Sequence, residues 1–373
     1  MKCIYCGNEI RKESKEHIIL ASLGGDLYST NLICKTCNNN FSNSEYENID
    51  ENLSKEFVLF INMLNIKNDN NRKVPTIKPF ATIDGRPISL KPGGIPEYSK
   101  VMINHKNEKI QIISSDRGKS EEMITNLLKQ HDGEIIIENK EEGEIFIKKP
   151  LERLFTMDTN TFRAISKALL NFSYYIKRDE KKEIINDTSI LKNITEFIKY
   201  KTFSSNTCCG FDGINITNKF LDFENLSHKL YLFGNQKKRI IFGYYIIFGC
   251  ISFSCILSNG YNEKDFGFYY ETSPLIKSNK FTEIDLDKSF DDKFIIQYAE
   301  YQNIHQEKMG ERLKELLKHS EYHSQNKIIM DKINTYLNEN ENDFYNNIQI
   351  PTIRNKHCQN IMKIKTDYNT MTT

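Results

Sequence analysis

The chain lacks an excess of charge of either sign. It contains 51 Lys and Arg residues against 50 Asp and Glu residues in 373 positions, a net charge of +1. A strongly basic composition would by itself have indicated a nucleic-acid binder. This composition gives no such indication, so any argument for nucleic acid must rest on local motifs.

Long apolar runs are also missing. The most apolar segment, 240–257, is interrupted by Gly243 and Gly249, whereas a membrane helix needs about 20 apolar residues. The first residues lack the apolar core of a signal peptide. We therefore expect a cytoplasmic protein without membrane contact, in which thiols stay reduced. The nine cysteines then indicate metal binding or burial instead of disulfides.

The sequence shows no internal repeat and no glycine-rich phosphate loop. Its hydrophobic content of 39% and aromatic content of 11% are sufficient to fill cores, which excludes a chain that is disordered throughout. The length favours two or three domains.

Four cysteines form two pairs near the N-terminus. Cys3 and Cys6 make the first Cys-x-x-Cys pair, Cys34 and Cys37 make the second, and 27 residues separate the pairs. Two such turns can direct four thiolates at one tetrahedral Zn²⁺. Four thiolates leave no open position for water or substrate, so this zinc is expected to be structural.

Chemically useful side chains lie between and just after these pairs. Glu16 and His17 stand in the segment Glu-His-Ile-Ile-Leu-Ala-Ser-Leu-Gly-Gly, which ends in a predicted tight reversal. Asn31 precedes the second cysteine pair, and the run from Asn38 to Asn40 follows it directly. We interpret that asparagine run as the start of a helix.

Together these motifs resemble the HNH endonuclease superfamily, in the branch with Asn directly after the last zinc cysteine. The resemblance covers residues 1 to about 55 and implies a ββα-metal core, in which a hairpin and a helix grip one divalent cation. It implies that His17 is the general base for phosphodiester hydrolysis in DNA. It further implies that Glu16 and Asn38, or Asn40 if the helix begins late, bind catalytic Mg²⁺ or Mn²⁺. Asn31 would tie down the loop and orient His17.

These implied roles agree with ordinary chemistry. A histidine can exchange a proton near pH 7 and so suits water activation. Phosphodiester cleavage is helped by a hard cation, for which carboxylate and amide oxygens are fitting ligands.

The predicted fold class is α+β, with a small zinc-bound N-terminal domain followed by a larger α+β domain. The clearest predicted helix covers 158–178, with Asp158 or Thr159 as its N-cap. We also expect a helix over 53–66 and a further short helix at 190–203 with Ser189 as N-cap. Residues 210–300 are predicted to be mainly β, with a hairpin turn at Asn259-Gly260. Four cysteines in this part are expected to be free buried thiols: Cys208, Cys209, Cys250 and Cys255. The predicted domain divisions are 1–55, 56–150 (a mixed segment that could contact substrate), 151–300, a helical segment over 301–345 and a tail over 346–373. Residues 51–110 contain ten Lys and Arg against six Asp and Glu, an excess that indicates either phosphate contacts or an ordinary solvated face.

Three functional hypotheses follow. The first is an HNH endonuclease, in the context of a bacterial defence system or a mobile element. The second is a zinc-stabilised nucleic-acid-binding or regulatory module without cleavage. Glu16 argues against this hypothesis, because a carboxylate repels phosphate and a simple binding module does not need one. The third makes the larger domain a sensor or docking domain that controls the nuclease. A homo-oligomer or a regulatory protein partner is compatible with all three.

Overall fold

The computed structural model describes residues 1–11, 13–67, 73–83, 85–106, 109–114, 117–130, 152–202, 208–211, 221–276, 278–285, 302–339 and 363–367. Its strands are β1 Glu16–His17, β2 Tyr28–Ser29, β3 Ile77–Ile83, β4 Arg86–Lys91, β5 Ile95–Tyr98, β6 Met102–Lys106, β7 Lys109–Ile113, β8 Glu152–Thr156, β9 Cys208–Phe211, β10 His228–Asn235, β11 Ile240–Ile247, β12 Ile251–Ser258, β13 Phe266–Thr272, β14 Asn279–Glu283 and β15 Lys363–Asp367. Its α-helices are α1 Lys35–Phe41, α2 Ile49–Glu56, α3 Val58–Met63, α4 Arg117–Gln130, α5 Thr159–Arg178, α6 Lys192–Tyr200 and α7 Gln302–Glu339. The predicted α+β class is confirmed.

A six-stranded antiparallel sheet forms the centre of the larger domain. Its strand order is β14-β13-β10-β11-β12-β9. Side chains alternate between two apolar faces, so that Leu230 and Leu232 belong to the main core while Tyr231 and Phe233 belong to a second cluster on the other face. The predicted β-rich part is therefore present in the described residues.

Helix α5 packs against the main-core face of this sheet. The carboxylate of Asp158 accepts a hydrogen bond from the backbone N–H of Thr161 at 2.9 Å and so caps the helix, as predicted. Leu169, Phe172 and Ile176 are fully buried, which fits their helical spacing.

Some local predictions need correction. The segment 53–66 contains the end of α2 and all of α3, which meet at Phe57, and not one continuous helix. The turn at Asn259-Gly260 does not join neighbouring strands, because β11 and β10 lie between β12 and β13 in the sheet. The carboxylate of Asp187, and not Ser189, caps the turn before α6. Cys209 is only half-buried, while Cys250 and Cys255 are buried as free thiols; the side chain of Cys208 lies outside the described residues.

The remaining elements lie outside the six-stranded sheet. Gly93 and Gly94 form the turn between β4 and β5, with φ values of +85° and +74°, a conformation that glycine adopts without steric strain. Helix α7 lies within the segment 301–345 that was predicted to be helical, and it buries Met309, Leu313 and Leu316. No helix among the described residues is long and apolar enough to cross a membrane.

The N-terminal domain shares its core with the larger domain. One apolar cluster includes Cys3, Ile18 and Phe41 together with Leu169 of α5 and Leu316 of α7. The domain boundaries stay a prediction, but the small domain is packed onto the large one through a common interior.

Candidate active site

The four N-terminal cysteines converge on one point. Their sulfur atoms all lie within 4.8 Å of one another, and the Sγ atoms of Cys6 and Cys34 are 3.7 Å apart. Tetrahedral zinc with Zn–S bonds of about 2.3 Å requires sulfur separations of about 3.8 Å. The side chains of Cys3 and Cys37 hydrogen-bond to each other, which lowers the pKa of Cys3 and raises the pKa of Cys37. The donor set therefore fits a structural zinc ion.

Strands β1 and β2 form a two-residue hairpin beside this cluster. Glu16 pairs with Ser29 and His17 pairs with Tyr28. Because side chains alternate along a strand, Glu16 and Ser29 point into the protein, where they are 1% and 2% exposed. His17 and Tyr28 lie on the opposite, outer face, where Tyr28 is 48% exposed.

Lys15 completes the outer face of the hairpin. Its exposed side chain places Nζ 4.2 Å from the ring centroid of Tyr28, and the rings of Tyr28 and His17 are 6.1 Å apart. A cation, an imidazole and an exposed aromatic ring therefore share one surface, which we call the outer hairpin face (Lys15, His17 and Tyr28).

Helix α1 begins at Lys35, directly after Cys34, and places Asn38 next to this hairpin. The amide of Asn38 donates to Ser14 Oγ at 2.9 Å and to the carbonyl of Lys15 at 3.1 Å. Asn40 instead hydrogen-bonds with the hydroxyl of Tyr46. The helix does not begin late, so the geometry favours Asn38 over Asn40 as the asparagine of the site.

Asn31 fixes the chain after β2 to the larger domain. Its amide donates to Asp179 Oδ1 at 3.0 Å, and its carbonyl accepts from Arg178 Nη1 at 2.6 Å. The backbone N–H of Asn31 also donates to Ser29 Oγ. These contacts agree with a residue that ties down the loop, while its predicted effect on His17 stays a prediction.

Glu16 has a different environment from the one its predicted role requires. Its Oε1 atom lies 2.6 Å from Lys167 Nζ and accepts from the amide of Asn171 at 2.7 Å. Burial raises the pKa of Glu16, although Lys167 acts against this shift. A metal-ligating carboxylate needs access to the cation and its waters, so the geometry favours a structural carboxylate over a metal ligand at this position.

Lys167 and Asn171 were not identified as site residues from the sequence. They occupy successive turns of α5, following Arg163 at the same four-residue spacing, and all three are at most 2% exposed. A stripe of polar residues on the buried side of a helix indicates a contact with polar groups elsewhere in the protein, because buried polar residues require partners. The sequence contained this signal, but it could not reveal that the partners lie in the N-terminal domain.

The turn between the two hairpin strands is docked on the sheet. The buried His228 has a structural role, because its Nε2 lies 2.8 Å from the carbonyl oxygen of Leu23. Asp26 accepts from the Tyr270 hydroxyl at 2.7 Å and from the Asn279 amide at 3.0 Å. Contacts with helix α5 and with the sheet thus attach the N-terminal domain to the larger domain.

Comparison with protein families agrees with this local geometry. The family model described as HNH endonuclease matches residues 3–58. This match spans both cysteine pairs, the hairpin and α1. The N-terminal segment is an HNH endonuclease domain. A search of curated proteins and a search of solved structures each found no match to the chain.

Proposed function

We propose that this protein is an endonuclease that hydrolyses phosphodiester bonds in DNA, with His17 as the general base. The observation that carries the proposal is the HNH domain at residues 3–58, in which His17 lies on the outer face of the hairpin beside α1. HNH domains generally hydrolyse DNA. In this protein the HNH domain packs against the surface of the larger domain.

In this proposal His17 acts on a water molecule at the outer hairpin face. Its neighbours along the strand, Lys15 and Glu16, lie on opposite sides of the hairpin, and only the former faces solvent. The ammonium group of Lys15 can bind a phosphate oxygen, and the imidazole can accept the proton of the attacking water. Asn38 holds the backbone at Lys15 through its amide and so orients both groups.

A divalent cation of the Mg²⁺ or Mn²⁺ type, when bound, would stabilise the charge on the leaving oxygen. The side-chain oxygen of Asn38 is the donor that fits such an ion, because the amide nitrogen is already used by Ser14 and Lys15. Glu16 does not fit, since its carboxylate is buried against Lys167. Outside the four cysteines, the described part of the chain has no group of three His, Cys, Asp or Glu that could hold a metal ion.

The second candidate function is a zinc-stabilised nucleic-acid-binding module without cleavage. One observation favours it: Glu16 is turned away from the outer hairpin face. A carboxylate that is buried does not repel phosphate, so its presence in the sequence is no longer an argument against simple binding.

A cleavage assay with matched histidine variants distinguishes the two functions. Purified full-length protein is incubated with supercoiled plasmid DNA and either Mg²⁺ or Mn²⁺, beside His17→Ala and His323→Ala. His323 lies on α7, where its ring contacts the carbonyl of Glu224. We expect nicking by the wild type and by His323→Ala, and at least about a hundredfold less by His17→Ala, since general acid–base catalysis contributes about 10²–10⁴-fold.

Equal nicking by His17→Ala and His323→Ala would show that His17 is not the general base. DNA binding without cleavage under any metal would favour the second candidate. A role in a bacterial defence system or a mobile element, and the presence of a protein partner or a second copy, stay predictions.

A further inference from the structure

Helix α5 contacts the nuclease hairpin from the side opposite His17, and it does so at two points. We infer that Lys167, Asn171, Arg178 and Asp179 form a clamp, here named the α5 clamp, that sets the position of the hairpin. Lys167 and Asn171 are then positioning residues for His17. This inference rests on the proposed function only where it concerns catalysis.

The first contact holds strand β1 at Glu16. Lys167 Nζ and Asn171 Nδ2 both bind the same oxygen, Oε1, at 2.6 and 2.7 Å. Lys167 is itself fixed by Asp50 Oδ2 at 2.8 Å. His17 follows Glu16 by one peptide bond, so any displacement of Glu16 is transmitted to the backbone of His17.

Asn171 also connects the zinc cluster to the hairpin. Its Oδ1 accepts from the hydroxyl of Tyr5 at 2.8 Å, and Tyr5 lies between the ligands of the first cysteine pair. One buried amide, 0% exposed, therefore joins the first cysteine pair to β1. A buried polar network in which each member has its partners specifies a single arrangement.

The second contact holds the chain at and after β2. Asp179, which follows the last residue of α5, accepts from Ser29 Oγ at 2.9 Å and from the amide of Asn31 at 3.0 Å. Arg178 donates to the carbonyl of Asn31 at 2.6 Å. Because one rigid helix holds both strands of the hairpin, neither strand can shift without breaking buried or half-buried hydrogen bonds.

The α5 clamp matters for catalysis because a general base works only when it is held close to its correct position. A displacement of about 1 Å caused far from the reacting atoms can reduce the rate about a hundredfold. The α5 clamp removes that freedom without touching substrate or metal. It also makes Glu16 an anchoring residue of the hairpin, which explains why its carboxylate is buried.

Two asparagines provide a matched test in the full-length protein. Asn171→Ala removes the amide between Tyr5 and Glu16. Asn62→Ala removes an equally buried amide, 0% exposed, that binds Pro75, Leu90 and Gly94 away from the hairpin. We expect Asn171→Ala to lower kcat by up to about a hundredfold, with KM for DNA and the Mg²⁺ concentration at half-maximal rate unchanged. Asn62→Ala should leave kcat unchanged at temperatures where both variants are folded.

Glu16→Gln separates an anchoring role from metal ligation. The introduced glutamine can still accept from Asn171, and Lys167 keeps Asp50, so the half-saturating Mg²⁺ concentration should not change. A rise of about tenfold or more in that concentration, the size expected for damage to a metal site, would overturn the anchoring role of Glu16.

Hydrogen exchange gives a readout that does not depend on activity. Asn171→Ala should accelerate amide exchange over residues 14–31, whereas Asn62→Ala should accelerate exchange near 60–95 and leave the hairpin protected. Unchanged exchange in the hairpin of Asn171→Ala would overturn the clamp. If the wild type cuts no DNA, the proposed function fails by its own assay, and the exchange result alone decides the clamp.

Discussion

The ammonium nitrogen of Lys167 lies between two carboxylates, 2.6 Å from Glu16 and 2.8 Å from Asp50. It also lies 5.0 Å from the ring centroid of Phe41, which adds a favourable cation–π contact. Burial disfavours the charged form, but Asp50 and Glu16 outweigh burial and raise the pKa of Lys167 above its ordinary value. A cation from the larger domain thus neutralises two acids of the N-terminal domain.

Lys167→Met should destabilise the protein strongly. The variant leaves the buried carboxylate of Glu16 and the half-buried carboxylate of Asp50 without their cation, and breaking a buried ion pair costs about 3–5 kcal/mol. The double variant Glu16→Gln, Lys167→Met should recover part of this loss, because only Asp50 then stays unpaired. Urea unfolding curves measure both values, and equal stability of wild type and Lys167→Met would contradict the role of this ion pair.

Zinc should be lost when one cysteine of the cluster is replaced. We expect about one zinc per chain in the wild type and far less in Cys34→Ser, since a structural site needs all four ligands. Cys209→Ser, at a half-buried thiol outside the cluster, should keep its zinc and serves as the control. Inductively coupled plasma mass spectrometry measures the content, and unchanged zinc in Cys34→Ser would eliminate the site.

The stability of the protein should depend on pH through His228. In its neutral form Nε2 donates to the Leu23 carbonyl at 2.8 Å, and Nδ1 can accept from the N–H of Phe248 at 3.4 Å. Burial lowers its pKa to about 4 from 6.5, although the Leu23 carbonyl and Asp26 act against the shift. The unfolded chain takes up the proton below pH 6.5 while the folded chain does not. The free energy of unfolding should therefore fall as the pH drops from 6.5 to 4, by about 3 kcal/mol in total.

His228→Gln isolates this contribution from other acid-sensitive groups. Glutamine can donate to Leu23 but does not titrate. The advantage of the wild type over His228→Gln in unfolding free energy should shrink by that amount across the same pH window. A constant difference between the two proteins from pH 7 to pH 4 would refute the assignment.

The sequence predicted the features that depend on local spacing. The two cysteine pairs and the helical period around Leu169 each specify a structure within a few residues, and both are confirmed. The partners of Lys167 and Asn171 could not be predicted, because Asn171 and Glu16 are 155 positions apart and nothing in either segment specifies the other. For the same reason the turn at Asn259-Gly260 was misassigned: strand order in the sheet depends on long-range packing and not on the turn.

Gly24→Ala should weaken the contact between the hairpin turn and the sheet. Gly24 has φ of +87°, and an added Cβ would lie 2.5 Å from Cβ of Pro274 in the larger domain. Gly85 has a similar φ of +75° with open space around it, so Gly85→Ala measures the conformational strain alone, about 1–2 kcal/mol. Gly24→Ala should be clearly more destabilising in thermal unfolding, and equal losses would mean that the close approach to Pro274 is unimportant.

The outer hairpin face should bind nucleic acid through Tyr28 and Lys15. An exposed aromatic ring can stack on a base, which contributes about 1–3 kcal/mol, or about fivefold to a hundredfold in affinity. Lys15 can neutralise a phosphate, so its loss should reduce the slope of log affinity against log salt by about 1. Tyr28→Ala should therefore weaken binding with little change in salt dependence, and Lys15→Ala should change both.

Fluorescence anisotropy with a labelled single-stranded oligonucleotide measures both effects, in the His17→Ala background so that no cleavage occurs. Tyr322 and Lys318 on α7 are also exposed, with 63% of Tyr322 and 75% of the Lys318 side chain accessible, and their alanine variants are the controls. Affinity that falls only in the hairpin variants would place the substrate on the face that carries His17. Affinity that is the same in all four variants would mean that DNA approaches the protein elsewhere, and His17 could not then act on its phosphate.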